Sequence, residues 1–265
     1  VLGTFAPVEI STAINVSAAG YDVVVFEMEH QPYDISNLRN CLQYLQSRRK
    51  TAESGSIAPT ITPFVRIPAN GSEMNQWLAK QVLDIGVYGV VWPHIKTVSE
   101  ARNAVAACRY PRPKDDDRFE PAGNRGDSPK EAARYWGMSV GEYYDRADVW
   151  PLAPTGELFV VIMIESVEGV KNLPDILDQV PGIGAILIGE GDLSRDLGVP
   201  RQYDSPLLMS HIDEALKACQ ERGVPCGLPH QTADRVLSTL EKGFRWVQLT
   251  SSTSYKALET AKTFK

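Results

Sequence analysis

Eight short apolar runs, each separated from the next by a polar or helically patterned stretch, constrain the fold of this chain more than any other feature. They lie at 2–5, 23–26, 63–65, 87–92, 158–164, 185–188, 224–228 and 244–249. Most are too short for a helix and nearly continuous in hydrophobicity, the pattern of parallel strands covered on both faces. Between them, Leu38, Cys41, Leu42 and Leu45 recur at i, i+3, i+4, i+7, as do Leu173, Ile176, Leu177 and Val180. Val98, Ala101, Val105 and Cys108 form a third helical stripe, and Leu208, Ile212, Leu216 and Cys219 a fourth. Ser36, Thr97 and Ser205 before Pro206 supply helix starts. Eight strands alternating with helices predict an α/β fold, a single (β/α)8 TIM barrel over 1–265, and roughly 250 residues is the usual size of that fold. A doubly wound open sheet is the main competitor, but no G-x-G-x-x-G phosphate fingerprint follows any of the runs.

Two segments break the alternation. Residues 47–61 are polar and turn-rich and read as a surface loop. Residues 110–155 read as an insertion after the fourth β/α unit, helical over 128–136 and 140–147 with Gly137 between. A connection of that length inside a compact domain is usually functional, and Tyr135, Trp136, Tyr143, Tyr144 and Trp150 predict that it packs on the barrel mouth or on another subunit. The KDDDR stretch within it reads as a solvated turn.

Composition narrows the partners. A formal charge of -6 gives no general attraction to nucleic acid or anionic lipid, and no apolar run approaches the roughly 20 residues that span a bilayer. Residues 3–9 do not have the character of a signal peptide. Four cysteines without a C-x-x-C pair suit a reducing, cytoplasmic setting.

In a barrel of this kind, catalytic groups gather where strands end at the C-terminal face. The runs lead into Glu27, Glu29 and His30, then Arg66, His94, Glu165, Glu190 and Asp192, His230, and finally Gln248, Thr250 and Ser251. Glu165 and Asp192 follow neighbouring strands, which brings two carboxylates together. They repel unless one is protonated or a divalent cation with oxygen ligands lies between them; pairing of each with an arginine or a helix N-terminus is the structural alternative. Arg66 offers a planar, permanently charged fork for a carboxylate or a developing oxyanion, or else a structural salt bridge to Glu27 or Asp84. His30 is a candidate general base, with Glu27 or Glu29 orienting its other ring nitrogen. Asp84, at the end of the third helix, has no role that spacing alone decides. None of the apolar runs contains a lysine, which turns carbonyl chemistry away from an imine and toward a metal.

The string FEMEHQPYD resembles the D-x-E-H-x-P-x-D signature of the HpcH/HpaI family of metal-dependent (class II) pyruvate aldolases. Further blocks agree in order: PFVRIP, the stretch from LDIGVYGVVWPHI to CRYPRP, NRG, VIMIESVEG and GIGAILIGEGDLSRDLG. The resemblance covers nearly the whole chain. It implies that Glu165 and Asp192 bind the metal (Mg²⁺, Mn²⁺ or Co²⁺), that His30 is the catalytic histidine with Glu27 as its paired acid, and that Arg66 contacts pyruvate. It implies that main-chain amides from Gly189 through Gly191 to Asp192 flank the pyruvate carboxylate, with His230 nearer the aldehyde. Asp84 falls on an acid contributed across a subunit interface of a homo-hexamer, a trimer of dimers in which the last helix is exchanged between barrels.

Three positions depart from the family pattern: Glu27 stands where Asp is usual, Met163 where Gln is frequent, and GEGD replaces G-P-A-D, adding Glu190. The implied reaction is cleavage and formation of 4-hydroxy-2-oxo acids, giving pyruvate and an aldehyde through a metal-stabilised enolate. The same enolate site would serve an acyl-CoA lyase of the citrate lyase β-subunit type or an oxaloacetate decarboxylase, and a barrel without catalysis is the third possibility.

Overall fold

The computed structural model describes residues 1–68, 74, 76–250 and 254–264; Ser251 lies outside them. Nine strands form, β1 (Leu2–Ala6), β2 (Val23–Glu27), β3 (Thr62–Arg66), β4 (Gly89–Trp92), β5 (Val149–Trp150), β6 (Leu158–Ile164), β7 (Ile183–Ile188), β8 (Cys226–Gln231) and β9 (Trp246–Leu249). All pairings are parallel. They run β4-β3-β2-β1-β9-β8-β7-β6-β5, and a β4–β6 pairing closes the ring. The two-residue β5 only extends the pairing at the start of β6. The other eight strands are the predicted (β/α)8 barrel, and nearly every residue of β2, β4 and β7 is buried because helices cover the outside.

The predicted stripes face that sheet: the helix Ile35–Leu45 buries Leu38, Cys41, Leu42 and Leu45. Its cap is Asp34, which accepts the Asn37 N–H at 2.9 Å, and not Ser36. Thr97 and Glu100 form a capping box on Val98–Cys108. Residues 47–61 are not wholly loop. Ser47 caps a short helix, Arg48–Ser54, that ends at Gly55 in the left-handed region; none of its residues is buried, so hydrophobic periodicity could not reveal it. The last helix, Lys256–Ala261, buries Ala257, Leu258 and Ala261 on its own barrel, with the Tyr255 hydroxyl donating to the Asn15 carbonyl at 3.3 Å.

Large rings and glycines together fill the foot of the barrel. The Phe64 ring lies 5.8 Å from Phe159 and 5.2 Å from Trp246, and Phe159 and Trp246 are 5.5 Å apart. A Cβ at Gly89 would stand 2.2 Å from the Phe64 ring, and one at Gly184 2.6 Å from Phe159. Glycine at these two positions is what lets the rings close the barrel.

The insertion packs at the foot as well, and not at the mouth. Trp136 stacks on Tyr88 just before β4 at 4.1 Å and donates its indole N–H to the Gly86 carbonyl at 2.9 Å. Its two helices, Lys130–Trp136 and Val140–Arg146, join at Gly137 in the left-handed region, as predicted. Arg109, fully buried, makes a bidentate pair with Asp148 at 2.7 and 3.0 Å and donates to the carbonyls of Arg118 and Pro121, both at 2.7 Å. Burial alone would raise the Asp148 carboxyl, but the hydrogen bonds and charge of Arg109, helped by Arg112, hold it below the ordinary aspartate value.

Gly89→Ala is expected to destabilise by about 1–3 kcal/mol through overpacking, lowering the thermal midpoint. Gly141→Ala, in a helix with open space around the site, is expected to stabilise by about 0.5–1 kcal/mol and so raise the midpoint; a lower midpoint for Gly141→Ala alone would contradict the packing account. Asp148→Asn leaves Arg109 with an uncompensated buried charge and should cost about 3–5 kcal/mol. Because the Asp148 carboxyl is depressed, that contribution is complete above its unfolded value of about 3.9 and is lost as pH falls through the lower folded value. The gap between parent and variant in denaturant titrations should therefore narrow below about pH 4.

Candidate active site

One cleft at the C-terminal mouth, of about 450 Å³, is lined by His30, Arg66, Glu165, Gly189, Gly191, Asp192 and His230, together with Phe5, Met163, Glu190, Arg195, Arg201, Tyr203 and Pro229. Of the sequence-predicted residues, Glu27 stands directly behind Arg66, Glu29 and His94 border the cleft through Arg66 and Glu165, and Asp84, Gln248 and Thr250 do not line it.

Register explains the convergence. Glu27 and Arg66 are directly paired residues of β2 and β3. The Glu27 Oε2 accepts from Arg66 Nε at 2.8 Å and also from its Nη2. The Arg66 Nη1 stands 3.0 Å from Glu29 Oε2, and the guanidinium lies 4.8 Å above the Phe5 ring. The ion-pair reading of Arg66 and its placement in the cleft are thus both correct: Glu27 and Glu29 hold the fork rigid while it faces the cavity.

The predicted role of Glu27 toward the His30 ring is corrected. Glu27 Oε1 accepts the main-chain N–H groups of Glu29 (2.8 Å) and His30 (3.1 Å), so it fixes the turn and does not touch the imidazole. The ring is 64% exposed, its Nε2 at 3.6 Å from Glu29 Oε2, and is free to meet a ligand.

Glu165, the residue after β6, is 5% exposed. Burial raises its carboxyl; His94 opposes this, while the charges of Glu29 and Asp192 push it up further. A Cβ at Gly189 would stand 2.2 Å from Glu165 Oε2, so only glycine lets the main chain pass beside that carboxylate. His94, which has no assigned role in the sequence reading, closes the group. Its backbone is left-handed at φ 56°, its N–H donates to Glu165 Oε1 at 2.7 Å, and its Nε2 lies 3.2 Å from Glu29 Oε1. That contact, ahead of the opposing effect of burial, raises the His94 imidazole. Burial alone would raise the Glu29 carboxyl, but His94 and Arg66 hold it low. The signal in the sequence was a histidine directly after an apolar run and a proline; a non-glycine residue held in the left-handed region is a recurrent mark of functional sites.

Ligand atoms of His94, Glu165 and Asp192 lie within 4.8 Å of one another. A cation at about 2.0–2.6 Å from each donor fits that spacing. Burial, and then the charges of Glu29 and Asp192, disfavour an ionised Glu165; a cation held by the same donors would offset both, so the residues fit a divalent metal. Oxygen donors alone suit Mg²⁺, and an added imidazole also suits Mn²⁺ or Co²⁺.

Glu190 is 2% exposed, with Arg235 Nη2 3.7 Å from its Oε1; burial, against the charge of Arg235, pushes its carboxyl up to about 7. His230 sits inside β8, also left-handed at φ 55°, its ring 6.3 Å from Phe5. Desolvation first, then the Arg66 charge, lowers its imidazole.

Asp84 is a correction. It ends the helix Gln76–Asp84 at the foot of the barrel, where Arg125 Nη2 donates to it at 3.0 Å. Arg125 is 2% exposed and lies over the Tyr110 and Tyr143 rings. Within one chain Asp84 therefore does not meet His30 or Glu165. Gln248 is fully buried beside Gly3 in the barrel interior and does not line the cleft.

With this geometry in view, comparison with known proteins is consistent along the chain. Residues 3–257 match the profile of the HpcH/HpaI aldolase/citrate lyase family. The 2-dehydro-3,6-dideoxy-6-sulfogluconate aldolase of Pseudomonas putida is 30% identical over 241 residues, covering 91% of this chain and 82% of that protein. The hydroxypyruvate/pyruvate aldolase of Roseobacter denitrificans is 27% identical, covering 90% of this chain and 81% of its own length. A crystal structure of an HpcH/HpaI aldolase/citrate lyase family protein from Burkholderia cenocepacia superposes with a TM-score of 0.78 at 26% identity, over 99% of this chain and 92% of that one. The chain belongs to the HpcH/HpaI aldolase/citrate lyase family and is a carbon–carbon lyase of the aldolase type.

Proposed function

We propose that this enzyme is a metal-dependent aldolase that cleaves 4-hydroxy-2-oxo acids to pyruvate and an aldehyde, and runs the reverse addition. The observation that carries the reading is the meeting of a carboxylate pair, buried Glu165 and half-buried Asp192, with a rigidly held arginine and an exposed histidine in one cleft. The relatives support the class: one is named for pyruvate itself and the other for a 2-oxo sugar acid.

Glu165 and Asp192, with His94 as a third donor, would hold Mg²⁺, Mn²⁺ or Co²⁺, which supplies Lewis-acid polarisation of the keto oxygen when bound. Arg66 adds a second positive charge where enolate charge develops. Glu27 and Glu29 fix its fork in advance, so little reorganisation is needed during the reaction. His30 takes the 4-hydroxyl proton as the C3–C4 bond breaks; the bond's electron pair passes into the pyruvate enolate, and in the reverse direction His30 returns the proton to the new alkoxide. Glu27 supports this step by pinning the main chain that carries His30. Main-chain amides of Gly191 and Asp192, in the first turn of the helix Glu190–Asp196, flank the pyruvate carboxylate, whereas the Gly189 N–H, expected to join them, already donates to the Ile164 carbonyl at 3.0 Å; His230 faces the aldehyde.

The working form on this reading is a cytoplasmic homo-hexamer, a trimer of dimers, in which the Asp84–Arg125 pair of one subunit completes the mouth of the next. Its partners are small molecules, a 2-oxo acid and an aldehyde, with neither nucleic acid nor membrane. No helix among the described residues is long and apolar enough to cross a membrane.

The metal-loaded protein is expected to exchange the methyl protons of pyruvate with deuterium, followed by proton NMR, and to form adducts with a panel of aldehydes. Glu165→Gln and Asp192→Asn should each lower exchange by at least ~10²-fold, the loss of several kcal/mol of charge stabilisation; full turnover by either in metal-supplemented buffer overturns the metal assignment. Absence of exchange in the parent favours the acyl-CoA lyase or non-catalytic reading. No lysine lines the cleft among the described residues. Borohydride added with pyruvate is therefore expected to leave the protein mass unchanged, and a trapped pyruvate adduct would overturn the mechanism.

A further inference from the structure

Arg195 and Arg201 are the two cationic groups in the cleft that the mechanism above does not use. Both side chains are exposed and line the cavity with Asp192, Tyr203 and His230. Neither guanidinium makes an ion pair or a hydrogen bond among the described residues, whereas Arg66, in the same cleft, is engaged by two glutamates. An arginine fork matches a carboxylate, sulfonate or phosphate in shape and charge.

Their placement is built into the fold. Arg195 lies three residues after Asp192 in the helix Glu190–Asp196, which puts it on the same face and about 5 Å further along the axis. Arg201 is held in the left-handed region at φ 58°, an arrangement that costs a non-glycine residue free energy and persists only where surrounding contacts impose it. Those contacts are visible. The fully buried Ser194 Oγ accepts the Arg201 N–H at 2.9 Å and donates to the Gly191 carbonyl at 2.6 Å. One serine thus ties the strained arginine to the same turn that carries Asp192. Glu190, which also lines the cavity, is 2% exposed with its Oε1 3.7 Å from Arg235 Nη2, so a third arginine engages it.

We infer that Arg195 and Arg201 form an anion subsite for the end of the substrate remote from pyruvate, so that the preferred aldehyde carries a terminal carboxylate, sulfonate or phosphate. Ser194 acts as a positioning residue for it. The inference rests on the aldolase reading for the orientation of the substrate, while the subsite itself can be tested by binding alone. On this view one pole of the cleft, Glu165 with Asp192, holds the 2-oxo acid, and the other reads the opposite end of the same molecule. Specificity of this kind arises because a bound ligand covers both forks, and an isostere lacking the charge then leaves them covered without a partner.

The test uses 2-oxoheptanedioate and 2-oxoheptanoate, which match in length, lack the 4-hydroxyl and so cannot be cleaved. Their dissociation constants are measured by calorimetry on the metal-loaded protein. The parent is expected to prefer the diacid at least 10-fold, and Arg195→Ala/Arg201→Ala to bring the ratio within about 2-fold. Arg201→Gly removes the guanidinium while relieving the left-handed backbone, so a reduced ratio there cannot be ascribed to misfolding; Arg201→Lys should retain part of the preference. A parent ratio near unity, or a ratio unchanged in the double variant, overturns the subsite. A preserved ratio in a parent that shows no pyruvate proton exchange overturns the aldolase reading and leaves the anion site standing. Exchange with a ratio of unity does the reverse. With semialdehyde acceptors, a further expectation is that the double variant raises KM for the charged aldehyde more than it lowers kcat.

Discussion

Pairing of β4 with β6 is the contact on which the rest of the molecule depends. It closes the ring across a gap of more than fifty residues, and its register sets Trp92 opposite Ile162. Two residues beyond those partners stand His94 and, one further, Glu165, so closure of the sheet is also the event that assembles the acidic pole. The β6–β7 pairing then sets Ile164 beside Ile188 and delivers Gly189 through Asp192 to the same point. A one-residue slip in either pairing would turn these carboxylates from the cleft into the helical layer.

The long insertion is compatible with that closure because it leaves and returns at the foot. Its aromatics pack on Tyr88 and Gly86, and its buried cations, Arg109 and Arg125, are paired within it or with Asp84. The mouth is therefore left to short connections after each strand, where rigid scaffolding holds the reactive groups. The strained backbone is concentrated there too. His94, Arg201 and His230 all adopt positive φ and all line or border the cleft, consistent with local strain being stored at functional sites and supported by the surrounding fold.

Electrostatically the cleft is organised as two kinds of charge. Arg66, Glu27 and Glu29 compensate one another and stay fixed. Glu165 meets only His94, and Asp192, Arg195 and Arg201 have no ion pair among the described residues. The first kind makes the site rigid, and the second gives it something to bind. Three departures from the family pattern take on meanings in this setting. Glu27 uses its extra length to hold the main chain of His30 and the Arg66 fork together. Met163 sets its sulfur 3.8 Å from Arg66 Nη1. Glu190 is turned toward Arg235.

Much of this was legible in the linear chain. Apolar runs of three to seven residues reveal strands because burial on both faces leaves no room for polar side chains, and i, i+3, i+4 stripes reveal helices because one face alone is buried. Several residues directly after those runs, Arg66, Glu165, Asp192 and His230 among them, do line the cleft, since strand ends in a barrel all open on one side; Gln248 does not, because it still lies in the barrel interior. The helix Arg48–Ser54 was not legible, because it buries nothing and so leaves no periodic trace. Nor was the role of His94, whose contacts are with Glu29 and Glu165, far apart in sequence. The location of the insertion and of Asp84 was open for a similar reason: aromatic and acidic residues announce that they need partners without saying which. Residue order and hydrophobic spacing thus determined the barrel and the roster of mouth residues, because those depend on local burial. Which charges are satisfied, which are left free and which backbone is strained depends on register between strands distant in the chain, and only the tertiary structure decided them.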